Sequence, residues 1–138
     1  VAATRPAARA EEDVLALRDP DGLLIELAAN ADPHDTDPWD GGAVPVEHAV
    51  RGIRSVTLTE QDTEGTARML GDQLGFRLVD ESGDRLRFRA VAAAAATGAI
   101  VDVVAAPRAE RGLVAAGSVH HVAYRRPTAR PRTPGGWP

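Results

Sequence analysis

Two groups of side chains in this sequence could do chemistry. His120 and His121 stand side by side just ahead of Val122-Ala123-Tyr124, and Glu26 is a carboxylate set inside the apolar run Leu23 to Leu27. The chain has no cysteine, so any metal it holds must use imidazole and carboxylate ligands. Successive residues of a strand point to opposite faces, so only one of the two histidines looks into a given cavity unless the strand begins irregularly there. Metal ligation, ordinary packing and surface exposure are all open to such a pair on residue type alone. His34 and His48 lie among prolines, glycines and acids and read as exposed surface residues.

The elements that position these groups are legible from periodicity. Val14 to Leu17 and Leu23 to Leu27 flank Arg18-Asp19-Pro20-Asp21-Gly22, a hairpin pattern that puts Leu23, Ile25 and Leu27 on one face and Leu24 and Glu26 on the other. Residues 30–49 carry breakers and acids without periodicity and form a linker, with Trp39 expected to pin it to a surface. Ile53 to Thr59 alternates as a half-buried strand. A short helix follows, capped by Asp62 or Thr63, with Ala67, Leu70 and Leu74 at helical spacing and Gly75 at its end.

Three more strands are expected: Phe76 to Val79, then Arg85 to Arg89 after a polar turn at 80–84, and Ile100 to Val104 after an alanine-rich loop. Arg85, Arg87 and Arg89 alternate with Leu86 and Phe88, a pattern that reads as the solvated face of a strand. Residues 50–106 thus make one complete βαβββ unit. A last strand, Val119 to Arg125, opens a following unit (residues 117–125), and residues 1–29 close a preceding one. The fold class is α+β, built from βαβββ modules, one complete and two partial.

Composition narrows the function classes. The formal charge is −4 with no basic cluster among aromatics, which argues against nucleic acid. The longest apolar run is short and mostly alanine, and no signal-peptide pattern is present, so neither a membrane partner nor a leader is expected and the location reads as cytoplasmic.

The hairpin word Arg18 to Leu27, followed later by Leu74-Gly75-Phe76 after a short helix, resembles the vicinal-oxygen-chelate superfamily of glyoxalases, bleomycin-resistance proteins and dioxygenases. Within it the chain is most similar to hydroquinone-type ring-cleaving dioxygenases, over about residues 10–125, through Pro38-Trp39 to Val44-Pro45, Ala49-Val50-Arg51-Gly52-Ile53 and Gly117 to Tyr124. The resemblance implies an internal fragment of a four-module protein, beginning late in the second module and stopping just inside the fourth. It also implies an Fe(II) or Mn(II) ion held by two histidines and a glutamate. Of those ligands only His121 falls here, with His120 as a catalytic imidazole near the substrate, where a neutral ring could accept a phenolic proton. The metal would be bound by the intact parent and not by this chain alone, which is expected to be inactive.

A facial triad of two imidazoles and a carboxylate leaves open positions for a chelating phenolate and for dioxygen, which is why this chemistry uses such a donor set. The substrate implied is a small hydroquinone-like aromatic compound. Glu26 matches the position of a metal carboxylate in single-module glyoxalases, but Arg54 stands where those sites want histidine. A vestigial site filled by a Glu26–Arg54 ion pair is the reading favoured there. After Arg125 the family pattern stops. Residues 126–138 are expected to be disordered, or to be read in a shifted frame, since Arg130 to Trp137 can be back-translated to a Gln-Asp-Ala-Trp word in another frame.

Two other readings compete: a metal-free binding module, as in antibiotic-sequestering relatives, in which paired modules form an apolar cup without a ligand triad and which an aromatic lining would support, although aromatics make up only 4% of the chain, and a remnant with no activity. Uncovered module faces would favour self-association.

Overall fold

The computed structural model describes residues 7–9, 12–29, 38–39, 41–91, 98–110, 112–113 and 117–124. The first sheet has three antiparallel strands in the order β1 (Ala7–Arg9), β2 (Glu12–Arg18) and β3 (Leu24–Ala28). The expected hairpin is therefore present, and its turn is built by Asp19. The Asp19 carboxylate accepts hydrogen bonds from the backbone N–H of Asp21 at 3.0 Å and of Leu23 at 2.8 Å, while Arg18 Nη1 donates to the Gly22 carbonyl at 2.7 Å. Strand β1 is additional. Its Ala-Ala-Arg sequence has no β-branched or aromatic residue, so no propensity signal marks it.

The expected division of β3 into an apolar and a polar face is not reflected in burial. Leu24, Ile25 and Leu27 are all exposed, whereas Glu26 is half-buried. Alternation presumes one covered face, and among the described residues Val14 is the only buried side chain of this sheet. Trp39, 69% exposed, lies over Gly41 and Gly42 and so holds its own loop instead of fixing the linker to a distant surface. The described part of the linker is irregular apart from a 3-10 turn at Val46–His48, and His48 is exposed.

The second sheet runs β4 (Ser55–Glu60), β7 (Ile100–Ala105), β6 (Arg85–Ala90), β5 (Phe76–Ser82). Strands β4 and β7 pair in parallel, and the other neighbours are antiparallel. The chain reaches the far edge through a helix and returns by two antiparallel connections to lie beside β4, which is the βαβββ order expected from the sequence. Helix α1 (Glu64–Arg68) has Thr63 at its N-cap without a side-chain cap bond, and Asp62, one residue earlier, accepts the Glu64 N–H on its carboxylate at 3.0 Å.

Beyond Arg68 the helix widens into a π turn, Met69–Gln73, closed by a bond from Leu74 N–H to the Met69 carbonyl at 3.1 Å. The wider turn changes the angular step between residues. Leu70 accordingly stays on the core-facing stripe and is fully buried, while Leu74 leaves it and is 41% exposed. Leu70, Phe76, Phe88, Val101 and Val103 form the core on the helix side of the sheet, with Val56, Leu58, Ala67 and Leu86 packed around them. Each fully buried side chain of this size contributes roughly 1.5–3 kcal/mol.

Strand β5 runs three residues further than expected, to Ser82, because Gly83 takes φ 61° and lets a two-residue turn join Ser82 to Arg85. A bulge at Val79, between Leu78 and Asp80, interrupts that ladder.

Two expectations need correction. Residues 119–124 form no strand, since no second strand pairs with them among the described residues, and the alanine loop 92–97 together with Arg125 and the tail 126–138 lies outside those residues. Arg85 and Arg87 are not on a solvated face: Arg87 is 7% exposed, and both are engaged by Asp102. The side of the sheet away from the helix is a charged, partly buried surface.

Candidate functional site

Tyr124 fixes the segment that carries the histidine pair. Its ring packs edge-on against Phe76, with centroids 5.3 Å apart, and joins the core on the helix side of the sheet. The hydroxyl is buried and has no hydrogen-bond partner, and desolvation pushes the phenol above its ordinary value. At the other end of the segment, Gly117 lies so close to the Asp21 backbone that a Cβ there would collide with the Asp21 carbonyl, and its φ of 76° also favours glycine.

Between these anchors His120 and His121 are both exposed. Their rings are perpendicular, and the two Nδ1 atoms are 3.0 Å apart. Strand alternation would have sent them to opposite faces; the irregular backbone of residues 119–124 brings them together.

This contact constrains the chemistry of both rings. One hydrogen must lie between the Nδ1 atoms, so one ring is an Nδ1–H donor and the other an acceptor. If His121 donates, its Nε2 keeps a lone pair and can bind a cation, while His120 accepts and carries its own proton on Nε2. If His120 donates, the roles reverse. With both rings neutral, His121 ligating through Nε2 and His120 acting as a base through Nε2 therefore exclude each other while the contact persists.

Among the described residues no three of His, Asp and Glu converge on a common point. The donor set is two imidazoles without a carboxylate, which does not make a facial triad. Glu26 and Arg54 are each half-buried and each engaged with another group. His34 lies outside the described residues.

Sequence reasoning missed Asp102. It is 1% exposed and stands between β4 and β6 on the charged side of the sheet. Its Oδ1 accepts from Arg87 Nε at 2.8 Å, and its Oδ2 accepts from Arg87 Nη2 at 2.9 Å and Arg85 Nη1 at 2.8 Å. Arg85 Nη1 also reaches Thr57 Oγ1 at 3.4 Å. A signal was available: a single aspartate at the centre of Ile100-Val101-Asp102-Val103-Val104 needs a cation, and alternating arginines one hairpin away can supply it.

No family model matches the chain. It is 31% identical over 114 residues to MhqO of Bacillus subtilis (strain 168), a protein provisionally named a ring-cleaving dioxygenase, covering 83% of this chain and 35% of that protein. It is 32% identical over 87 residues to MhqE of the same organism, which carries the same provisional description, covering 63% of this chain and 27% of the relative. A crystal structure of a provisionally assigned dioxygenase from Bacillus subtilis subsp. subtilis str. 168 superposes with a TM-score of 0.75 at 29% identity, covering 87% of this chain and 37% of that one. The chain spans about a third of the length of the curated relatives it matches. Its module order, its sequence and this superposition agree: the chain belongs to the vicinal-oxygen-chelate superfamily, alongside relatives named as ring-cleaving dioxygenases.

Proposed function

We propose that this chain is a segment of a metal-dependent, extradiol-type ring-cleaving dioxygenase acting on a small hydroquinone-like aromatic compound. The single observation that carries the reading is the likeness to MhqO over 114 residues, 83% of the chain. His121 supplies one metal ligand, and His120 sits beside it. A bound Fe(II) or Mn(II) ion would bring phenolate and dioxygen together and pass electrons between them. The contribution of this chain's own residues is to hold the His121 ring through the Nδ1 contact and to keep the segment seated through Tyr124.

Residues 1–29 then end one module, 50–106 form a complete one and 117–125 open another. The remaining two ligands belong to parts of the parent outside these residues, so the chain by itself is inactive. The exposed Leu24 and Leu27 of β3 favour association with other module faces. The metal-free sequestering alternative wants aromatic side chains lining an open cup. Phe76, Phe88 and Tyr124 instead pack in the helix-side core, which favours the dioxygenase reading.

Metal content and oxygen uptake with a panel of hydroquinones test the proposal, on this chain and on a longer product of the same locus. Iron- or manganese-dependent uptake by the longer product, lost in His121→Ala, is the expected result. A longer product that binds no metal overturns it.

A further inference from the structure

We infer that Asp19 and Gly117 are positioning residues for the histidine pair: the turn that Asp19 builds between β2 and β3 seats Gly117, and that seat aims the backbone that brings His120 and His121 into contact. The ring contact stands without the dioxygenase reading, whereas its use as a ligand and an orienting partner rests on that reading. Gly117 comes three residues before His120, and Tyr124 three after His121. Among the described residues no strand pairs with this stretch, so its path follows from where its two ends are held. Tyr124 holds one end against Phe76 of the second sheet. The other end rests on the turn of the first sheet.

Asp19 supplies most of the bonds that make this seat rigid. Its carboxylate accepts the N–H groups of Asp21 and Leu23, its carbonyl accepts the Gly22 N–H at 3.1 Å, and its own N–H donates to the Leu23 carbonyl at 3.0 Å. These bonds close the turn around Pro20 and Asp21 and fix the direction of the Asp21 carbonyl. A Cβ added at Gly117 would stand 2.9 Å from the carbon of that carbonyl and closer still to its oxygen. By contrast, a Cβ at Gly98 would lie 3.7 Å from the Ile53 carbonyl, an ordinary contact, and one at Gly83 would meet nothing. The obstacle at Gly117 is backbone, which cannot rotate aside as a side-chain tip does, so an alanine there must displace the segment or the turn. Its φ of 76° adds to the cost. Moving one end of so short a stretch shifts the rings it carries, and a hydrogen bond at 3.0 Å is lost when its partners separate by about 0.6 Å more.

Imidazole nitrogen NMR of the metal-free 138-residue chain, with isotope-labelled histidine and neutral rings, tests the inference. In the unaltered chain one ring of the pair should be fixed in its Nδ1–H form. Gly117→Ala and Asp19→Ala should each lose that signal, leaving both rings with spectra like that of the exposed His48, while the through-space contact between Phe76 and Tyr124 persists. Asp19→Asn keeps an acceptor oxygen for the turn and should retain the signal. Gly83→Ala, a comparable backbone strain in a distant hairpin, should retain it too. No fixed Nδ1–H ring in the unaltered chain, its survival in either alanine variant at 19 or 117, or its loss in Asp19→Asn or Gly83→Ala would each overturn the inference. So would joint loss of the Phe76–Tyr124 contact in Gly117→Ala and Asp19→Ala, which would make the two residues supports of the fold at large. The signal is read without metal, so a failed metal titration removes the dioxygenase reading and an unmoved tautomer removes this one.

Discussion

Arg87 grips Asp102 side-on across the β6–β7 ladder, where the two residues stand directly opposite each other, with Nε on one carboxylate oxygen at 2.8 Å and Nη2 on the other at 2.9 Å. A bidentate pair of this kind satisfies both charges where water does not reach. Breaking it from one side leaves a desolvated charge short of the bidentate partner that balances it. Asp102→Ala, which removes the carboxylate that both guanidiniums share, should cost about 3–5 kcal/mol. Replacing Asp102, Arg85 and Arg87 together by Leu, Met and Met should recover most of that loss, because well-packed apolar groups often match a buried ion cluster. Urea denaturation with a constant m value checks both outcomes.

The cluster also shows where reading the sequence succeeded and where it did not. Period-two alternation located β6 and β7, but alternation distinguishes two faces without saying that the polar one is wet. The second face of this sheet is polar and partly buried, a state that depends on the pairing of β6 with β7 and so on contacts between residues far apart in sequence. The hairpin at residues 12–28 was legible because Asp19, Pro20 and Gly22 each have a local mechanism. Strand β1 and the π turn were not, since neither follows from local propensity. The histidine pair was found by residue type, whereas its Nδ1 contact depends on a backbone that leaves the strand conformation.

Tyr124 carries the unpaired buried hydroxyl, so its ring and its oxygen have opposite effects. Tyr124→Phe keeps the edge contact with Phe76 and removes an unmet polar group, which should be neutral or stabilising by about 1 kcal/mol. Tyr124→Ala should be destabilising by about 3 kcal/mol. Because burial raises the phenol pKa, folding retains the proton that the unfolded chain gives up. The contribution is fully present below the ordinary tyrosine value near 10 and is lost as pH rises through the raised folded value. The unaltered chain should therefore lose more stability than Tyr124→Phe across that alkaline window, as measured by thermal melts at stepped pH.

Gly83 closes the β5–β6 hairpin in the left-handed region, at φ 61°. An alanine there has room, since nothing lies within 4 Å of the position a Cβ would take, but it must accept the backbone strain. Gly83→Ala should cost about 1–2 kcal/mol. Faster amide exchange confined to the turn end of the hairpin, at Ser82 and Arg85, would identify that strain as the cause; faster exchange spread through the core would count against it.

The histidine contact makes a graded prediction for metal binding. Ligation by His121 Nε2 requires its proton on Nδ1, and His120 Nδ1, 3.0 Å away, is the acceptor that holds it there. Removing the ligand and removing its orienting partner should then differ in degree. In a longer product of the locus, His121→Ala should abolish manganese binding, and His120→Ala should weaken it about 10–100-fold. If His120 were the ligand, the order would invert. Electron paramagnetic resonance of titrated Mn(II) separates the two cases, and equal, complete loss in both variants would mean that the contact does not act as an orienting hydrogen bond.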